Sequence, residues 1–530
     1  MLQTKRAFRG MVTSPHHLAS RAGLRVLEEG GTAIEAMVAA AATIAVVYPH
    51  MNGLGGDNFW LISIPGEEPI GIDACGPAAA KADIRFYREQ GHTTIPSRGP
   101  LAALTVAGAV GGWQQALEIN KKICARPLPL SRLLEDAIAY ARDGIAVTRT
   151  QHENTRNKLG ELADVPGFAH TFLIDGHPPE IGTRFRQTAL AASLEHLARA
   201  GLDDFYRGDL ARSVAKDLAA VGSPLALDDL QGYRVRTVPP LRARIAGHDV
   251  YNMPPPTQGL ASLLLLSVYD RLGVETAEGF EFLHGLVEAT KQAFRIRDRY
   301  VTDPDYMTHD PAAFLAPERV AEMAHNIDPR RAAPWPPAAN GGDTVWLGAI
   351  DREGRAVSFI QSLYWEFGAG VVLPGSGITW QNRGISFALD EQHHNHLRPR
   401  RRPFHTIQPA LARLADGRTM VYGTMGGEGQ PQTQAALFTR YALYGQEPQQ
   451  AVTAPRWLLG RTWGAATTNL KIESRFDPAV IEAMRRAGHD VQVVGPFEEM
   501  MGHAGMLVLG RDGLIEGAAD PRSDGAALGF

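Results

Sequence analysis

Thr344 is the residue whose neighbours best equip it for chemistry. It follows Gly341-Gly342-Asp343 and a run from Ala332 that carries Pro334, Pro336 and Pro337, a composition suited to neither helix nor interior strand. It opens the segment Thr344-Val345-Trp346-Leu347-Gly348-Ala349-Ile350-Asp351, which is rich in β-favouring types. A turn at Arg352-Glu353-Gly354 and a second apolar run from Ala356 to Ile360 complete a predicted hairpin. A threonine at a loop-to-strand boundary is common and by itself means little. If the backbone broke before Thr344, its hydroxyl would become a nucleophile. Its new α-amine, with a reference pKa of about 7.7–8, would be a general base on the same residue.

Other chemistry-bearing types are weaker signals. Thr424-Met425-Gly426-Gly427-Glu428-Gly429 reads as a permissive turn between a strand and a helix, and no Gly-Lys-Ser/Thr follows to make it a phosphate loop. Asp390-Glu391-Gln392-His393-His394-Asn395-His396 has metal-ligand types, but the histidines are adjacent or two apart in a polar loop, a spacing that suits no helix face. No metal and no cofactor is expected. The run Arg398-Pro399-Arg400-Arg401-Arg402 is short in an acidic chain and reads as a solvated or internally paired loop. Cys75 and Cys124 make neither a disulfide framework nor a metal spacing.

These residues need a large scaffold. Helical periodicity falls at about 16–29, 33–47, 108–120, 129–143, 185–200, 209–221, 258–272, 279–296, 431–443 and 477–487. Strand-like runs lie near 59–64, 70–74, 242–246, 344–350, 356–362, 407–413, 418–423, 490–494, 505–509 and 513–517. Strands at both ends with helices between suit layered packing of helices on sheets. The chain of 530 residues, 44% hydrophobic, is long for one domain, yet the interruption at about 332–343 is its best internal boundary. A net charge of −4 gives no general attraction to nucleic acid or anionic lipid, so a small-molecule ligand is expected. The alanine-rich run Ala33 to Val47 is too short to span a membrane and carries Glu35. With no apolar leader ahead of Gly10, a cytoplasmic location is expected.

Several segments, in order from Gly10 to the end, resemble the γ-glutamyltransferase family of N-terminal-nucleophile hydrolases. They include Gly10-Met11-Val12-Thr13-Ser14, Gly30-Gly31-Thr32-Ala33-Ile34-Glu35-Ala36 and Gly53-Leu54-Gly55-Gly56-Asp57-Asn58-Phe59. Met253-Pro254-Pro255-Pro256-Thr257-Gln258-Gly259, Ala293-Phe294-Arg295-Ile296-Arg297-Asp298-Arg299-Tyr300 and Phe367-Gly368-Ala369-Gly370 follow. The series ends with Met425-Gly426-Gly427, Ala454-Pro455-Arg456 and Ala519-Asp520-Pro521-Arg522-Ser523-Asp524-Gly525. The resemblance implies an α+β fold, an αββα four-layer sandwich. It also implies autocleavage between Asp343 and Thr344 into a large subunit, 1–343, and a small subunit, 344–530, which form one intertwined domain. A dimer of such pairs is an assembly it allows. Thr344 would be the nucleophile, the backbone N–H groups of Gly426 and Gly427 the oxyanion donors, and Ser362 a second hydroxyl bonded to the nucleophile.

The departures from the family bear on substrate. True γ-glutamyl transferases hold the glutamyl α-carboxylate with an arginine, which falls here at or near Asp73, and a serine pair, which is His405-Thr406. The aspartate and asparagine that grip the α-amino group align with Ser386 and Tyr364. Losing a bidentate arginine and gaining the Asp73 carboxylate disfavours an anionic α-carboxylate at that spot. Trp380-Gln381-Asn382-Arg383-Gly384-Ile385-Ser386-Phe387 and Arg402-Pro403-Phe404-His405-Thr406 resemble the oxamate amidohydrolase-like branch of the family. That branch implies a small carboxylated amide as substrate, in purine or allantoin-type nitrogen salvage. Arg383, His405 and Thr406 are candidates to hold its carboxylate, and Trp346 to wall the pocket. For Arg383 an internal salt bridge, and for His405 a satisfied core position, remain open. A γ-glutamyl hydrolase or transpeptidase with a rebuilt clamp is the alternative. A non-catalytic or metal-binding protein on the same fold is a third reading.

Overall fold

The computed structural model describes residues 2–335, 343–460 and 468–530, and of Asp343 the backbone only. The expected loop is therefore described only up to Trp335, and its residues 336–342 lie outside the described part, as does the Asp343 side chain.

Two seven-stranded antiparallel sheets dominate. One runs in the order Lys5–Ala7, Ile515–Ala519, Ala504–Leu509, Thr419–Thr424, Ala410–Arg413, His248–Asn252, Leu241–Ile245. The other runs Ala526–Gly529, Gly10–Ser14, Asp343–Asp351, Ala356–Tyr364, Asp57–Ser63, Ile70–Ala74, Arg236–Val238. Both combine strands from before and after residue 343. The hydrophobic core divides into three clusters, and strand alternation sorts residues between them. Val345, Leu347 and Ala349 face a helical layer, whereas Trp346 and Ile350 face the opposite sheet. Met420 and Tyr422 face the other helical layer, and Val421 faces inward. Three apolar interfaces separate four layers, helix, sheet, sheet and helix, which is the αββα arrangement.

Helix Ala33–Val47 is buried at all fifteen positions. At its start Thr32 Oγ1 accepts from Glu35 N and Glu35 Oε2 accepts from Thr32 N at 2.8 Å, a reciprocal cap. Among the described residues no helix is long and apolar enough to cross a membrane.

Each expected helix and strand has a counterpart, but several elements were not expected. Gly10–Ser14 is buried at every position between Ala526–Gly529 and Asp343–Asp351, so it carries no alternation to read. Helix Arg149–Leu162 turns Thr150, Gln151, Asn154 and Thr155 inward, and a polar buried face leaves no apolar stripe.

Candidate active site

Thr344 is the second residue of strand Asp343–Asp351, shares the inward face with Trp346, and is fully buried. The Trp346 indole is a core group: its Nε1 donates to Ser358 Oγ at 2.9 Å, and its ring covers Gly423 and Gly505 of the facing sheet, where a Cβ would collide with it. Trp346 thus underlies the site rather than lining an open pocket. Gly423→Val is expected to cost about 1–3 kcal/mol by overpacking, measurable by denaturant unfolding.

Because Trp346 meets Gly423, the start of its strand meets the loop that follows Thr419–Thr424. That loop is Met425-Gly426-Gly427, which leads into helix Gly429–Phe438. Gln430, in the first turn of that helix, places Nε2 at 3.4 Å from Thr344 Oγ1. Gly426 and Gly427 have φ of +114° and +52°, backbone that glycine adopts without strain. A trans peptide points its N–H opposite to the preceding carbonyl. Met425 O accepts from Thr424 Oγ1 and Gly426 O from Gly429 N, both at 2.8 Å, so the N–H groups of Gly426 and Gly427 face away from these contacts. Among the described residues neither N–H meets a protein acceptor. Two buried donors at the N-terminus of a ten-residue helix suit a developing oxyanion.

A residue without an assigned role in the sequence reading holds this loop. Gln258 Nε2 donates to Gly427 O at 2.8 Å and to Thr406 O at 2.6 Å, while its Oε1 accepts from Arg297 Nη1 at 2.9 Å. Arg297 also pairs with Glu428 at 3.3 Å. Gln258 and Arg297 both stand in the family-like segments, but only folding brings them beside Gly427.

On the other side of Thr344, Asp343 pairs with Tyr364 and Val345 with Gln361, so the register slips and the two residues Ser362 and Leu363 fall across from Thr344. Ser362 Oγ accepts from Tyr364 N at 2.8 Å. Tyr364 has φ +85°, a strained value for a non-glycine residue.

Arg383 lies over the Tyr364 ring, its Cζ 3.8 Å from the ring centroid. Nη1 donates to Thr406 Oγ1 at 3.3 Å, and Nε and Nη2 have no partner among the described residues, although the side chain is 0% exposed. No salt bridge neutralises it within 4.0 Å among the described residues, and burial pushes its pKa down to about 10. His405 Nε2 stands 3.5 Å from Asp57 Oδ2, and both ring nitrogens lack hydrogen-bond partners among the described residues. Burial, with Arg383 and Arg402 nearby, holds His405 well below its ordinary pKa, so the ring is neutral. Ser386 Oγ is also unpartnered there. A cavity of about 790 Å³ opens beside this edge, with Trp365, Ser386, Phe404, Arg297 and Glu428 in its walls.

Asp73 is engaged elsewhere. Its Oδ2 pairs with Arg402 Nη1 at 2.6 Å, and Arg402 Nη2 pairs with Asp303 at 2.9 Å. Its charge is neutralised internally, so the expected repulsion of a carboxylate by Asp73 does not follow. Arg401 is likewise held, by Thr302 Oγ1 and the His396 carbonyl.

One grouping of metal-ligand types occurs among the described residues, away from the histidine-rich loop: His284, Glu288 and His489. Lys291 Nζ lies 2.6 Å from Glu288 Oε1 and already supplies a cation there. The same groups grip the chain before residue 336, through Lys291 Nζ to Ala333 O at 2.6 Å and Ala333 N to Glu288 Oε2 at 3.1 Å.

The family model for gamma-glutamyltranspeptidase matches residues 19–530. The chain belongs to that family. It is 55% identical over 521 residues to the oxamate amidohydrolase proenzyme of Klebsiella pneumoniae, covering 98% of each chain. It is 41% identical over 524 residues to the glutathione hydrolase-like YwrD proenzyme of Bacillus subtilis, again 98% of each. The crystal structure of cephalosporin acylase from Bacillus halodurans superimposes with a TM-score of 0.92 at 32% identity, over 100% of this chain and 97% of that one. These relatives are named as an amidohydrolase, a glutathione hydrolase-like protein and an acylase, and this family member is a hydrolase of amide bonds.

Proposed function

We propose that the chain cleaves itself between Asp343 and Thr344 and then hydrolyses a small carboxylated amide, of which oxamate is the model. In the first step Thr344 Oγ attacks the Asp343 carbonyl and water opens the resulting ester. The free Thr344 amine then takes the hydroxyl proton as Oγ attacks the substrate amide, while the N–H groups of Gly426 and Gly427 receive the oxyanion. The C–N bond breaks, ammonia leaves with that proton, and water hydrolyses the acyl ester to a carboxylate.

The observation that carries the substrate reading is Arg383. It is a buried guanidinium with two groups unpaired among the described residues, beside the Thr406 hydroxyl and over the residue paired with Asp343. One compact carboxylate satisfies that fork, and the 55% identity to an oxamate amidohydrolase supports the same class. Ammonia release from a panel of primary amides is expected to be fastest with oxamate. Comparable turnover of γ-glutamyl anilide would instead favour the γ-glutamyl reading.

Arg383→Lys is expected to raise the KM for oxamate at least about tenfold, the loss of roughly 1.4 kcal/mol from a planar fork, while self-cleavage proceeds. An unchanged KM would remove Arg383 from the pocket.

A further inference from the structure

Asp57 is a buried carboxyl whose two oxygens have unlike surroundings. Oδ1 accepts from Gly76 N at 3.0 Å and from Gly108 N at 2.9 Å. Oδ2 makes no hydrogen bond of ordinary geometry among the described residues, although the Gln381 side chain lies beside the carboxyl, and it stands 3.5 Å from His405 Nε2, which makes none there either. Phe59, two residues on, closes the other side of the imidazole at a centroid distance of 5.0 Å. Arg383 is the cation that acts most strongly on Asp57, and its own Nε and Nη2 are unpaired among the described residues. The buried cluster around His405 and Thr406 therefore holds one carboxyl and one guanidinium with no direct ion pair between them.

We infer that Asp57 is a specificity-determining residue that sets the charge of this pocket. As the neutral acid it leaves Arg383 to a carboxylate ligand, and as the anion it competes for that charge and repels the ligand. The inference rests on the reading of Arg383 as the carboxylate site, and it narrows the ligand class to carboxylates bound together with a proton on Asp57.

The other groups facing Asp57 allow both states. From the strand-end segment after Ile70–Ala74 comes the Cys75 thiol, buried and pushed up, hence neutral. Tyr206 and Tyr233, from the helical layer, are neutral phenols also pushed up by burial. The Gln381 amide faces it from the segment before Arg383, and His405 is neutral. The nearby Arg402 charge is matched by Asp73 and Asp303. Burial raises Asp57 to about 7, against the pull of Arg383, Gly108, Gln381 and Gly76. A group with a raised folded pKa favours the folded protein at low pH and loses that contribution as pH rises through about 7.

The test compares wild type with Asp57→Asn, which keeps an oxygen for Gly76 and Gly108. Wild-type KM for oxamate should be lowest below pH 7 and rise about tenfold per pH unit above it, the slope of a single required proton. Asp57→Asn should flatten that rise. An equal rise in both proteins overturns the inference while leaving oxamate hydrolysis intact. Calorimetry of oxalate binding to processed wild type at pH 8, in two buffers of different ionisation enthalpy, needs no variant. Uptake of close to one proton per oxalate supports the inference even if oxamate is not turned over, an outcome that would remove only the substrate assignment. Binding without proton uptake, or no oxalate binding, overturns it.

Discussion

Thr344→Ala is expected to remain a single chain of 530 residues and to release no ammonia from any amide, because one hydroxyl serves both cleavage and turnover. The wild type should instead migrate on a denaturing gel as two pieces, 1–343 and 344–530, and as one species under native conditions. The topology explains why the pieces stay together. Strand Asp343–Asp351 lies between Gly10–Ser14 from before the cut and Ala356–Tyr364 from after it, and both sheets mix strands from the two sides. Separation would strip the cross-strand hydrogen bonds of both sheets and expose all three cores. Thr344→Ser should cleave, more slowly, and retain some turnover. Active wild-type material that runs only as an intact chain would defeat the cleavage mechanism.

Gly427→Val, assayed on the processed fraction, is expected to lower kcat by about a hundredfold or more with little change in KM. Gly427 has φ +52°, a conformation that valine adopts only with strain, so the peptide that aims its N–H should rotate. The penalty for one lost oxyanion donor is about 2.7–4 kcal/mol. Gln258 gives an independent check, since its amide holds Gly427 O and Thr406 O together. A Gly427→Val enzyme with normal kcat and a raised KM would show that the glycines only shape the pocket.

The groups proposed for bond breaking could be picked out in the sequence because they sit in local patterns. A proline- and glycine-rich run that ends at a strand, and a Gly-Gly turn between a strand and a helix, follow from short-range backbone preferences that need no partner to be read. Amphipathic helices such as Leu130–Asp143 and Asp209–Val221 were legible from one apolar face, and wholly buried ones such as Ala33–Val47 from a continuous run of helix-favouring apolar residues. Gly10–Ser14 was not, because both of its faces are covered, nor was Arg149–Leu162, whose buried face is polar. The candidate acyl pocket depended still more on tertiary structure. Arg383, His405 and Thr406 could be proposed from their types, but only folding brings Arg383 over Tyr364 with no ion-pair partner among the described residues, and only folding spends Asp73 on Arg402. Asp57 stood in a glycine-rich segment with nothing to mark it until the fold set its free oxygen beside His405 and Arg383. Whether a charge is neutralised depends on which distant residue lies within a few ångströms of it. Sequence therefore determined which groups could react, and the packing of four layers decided which charges remain available to a substrate.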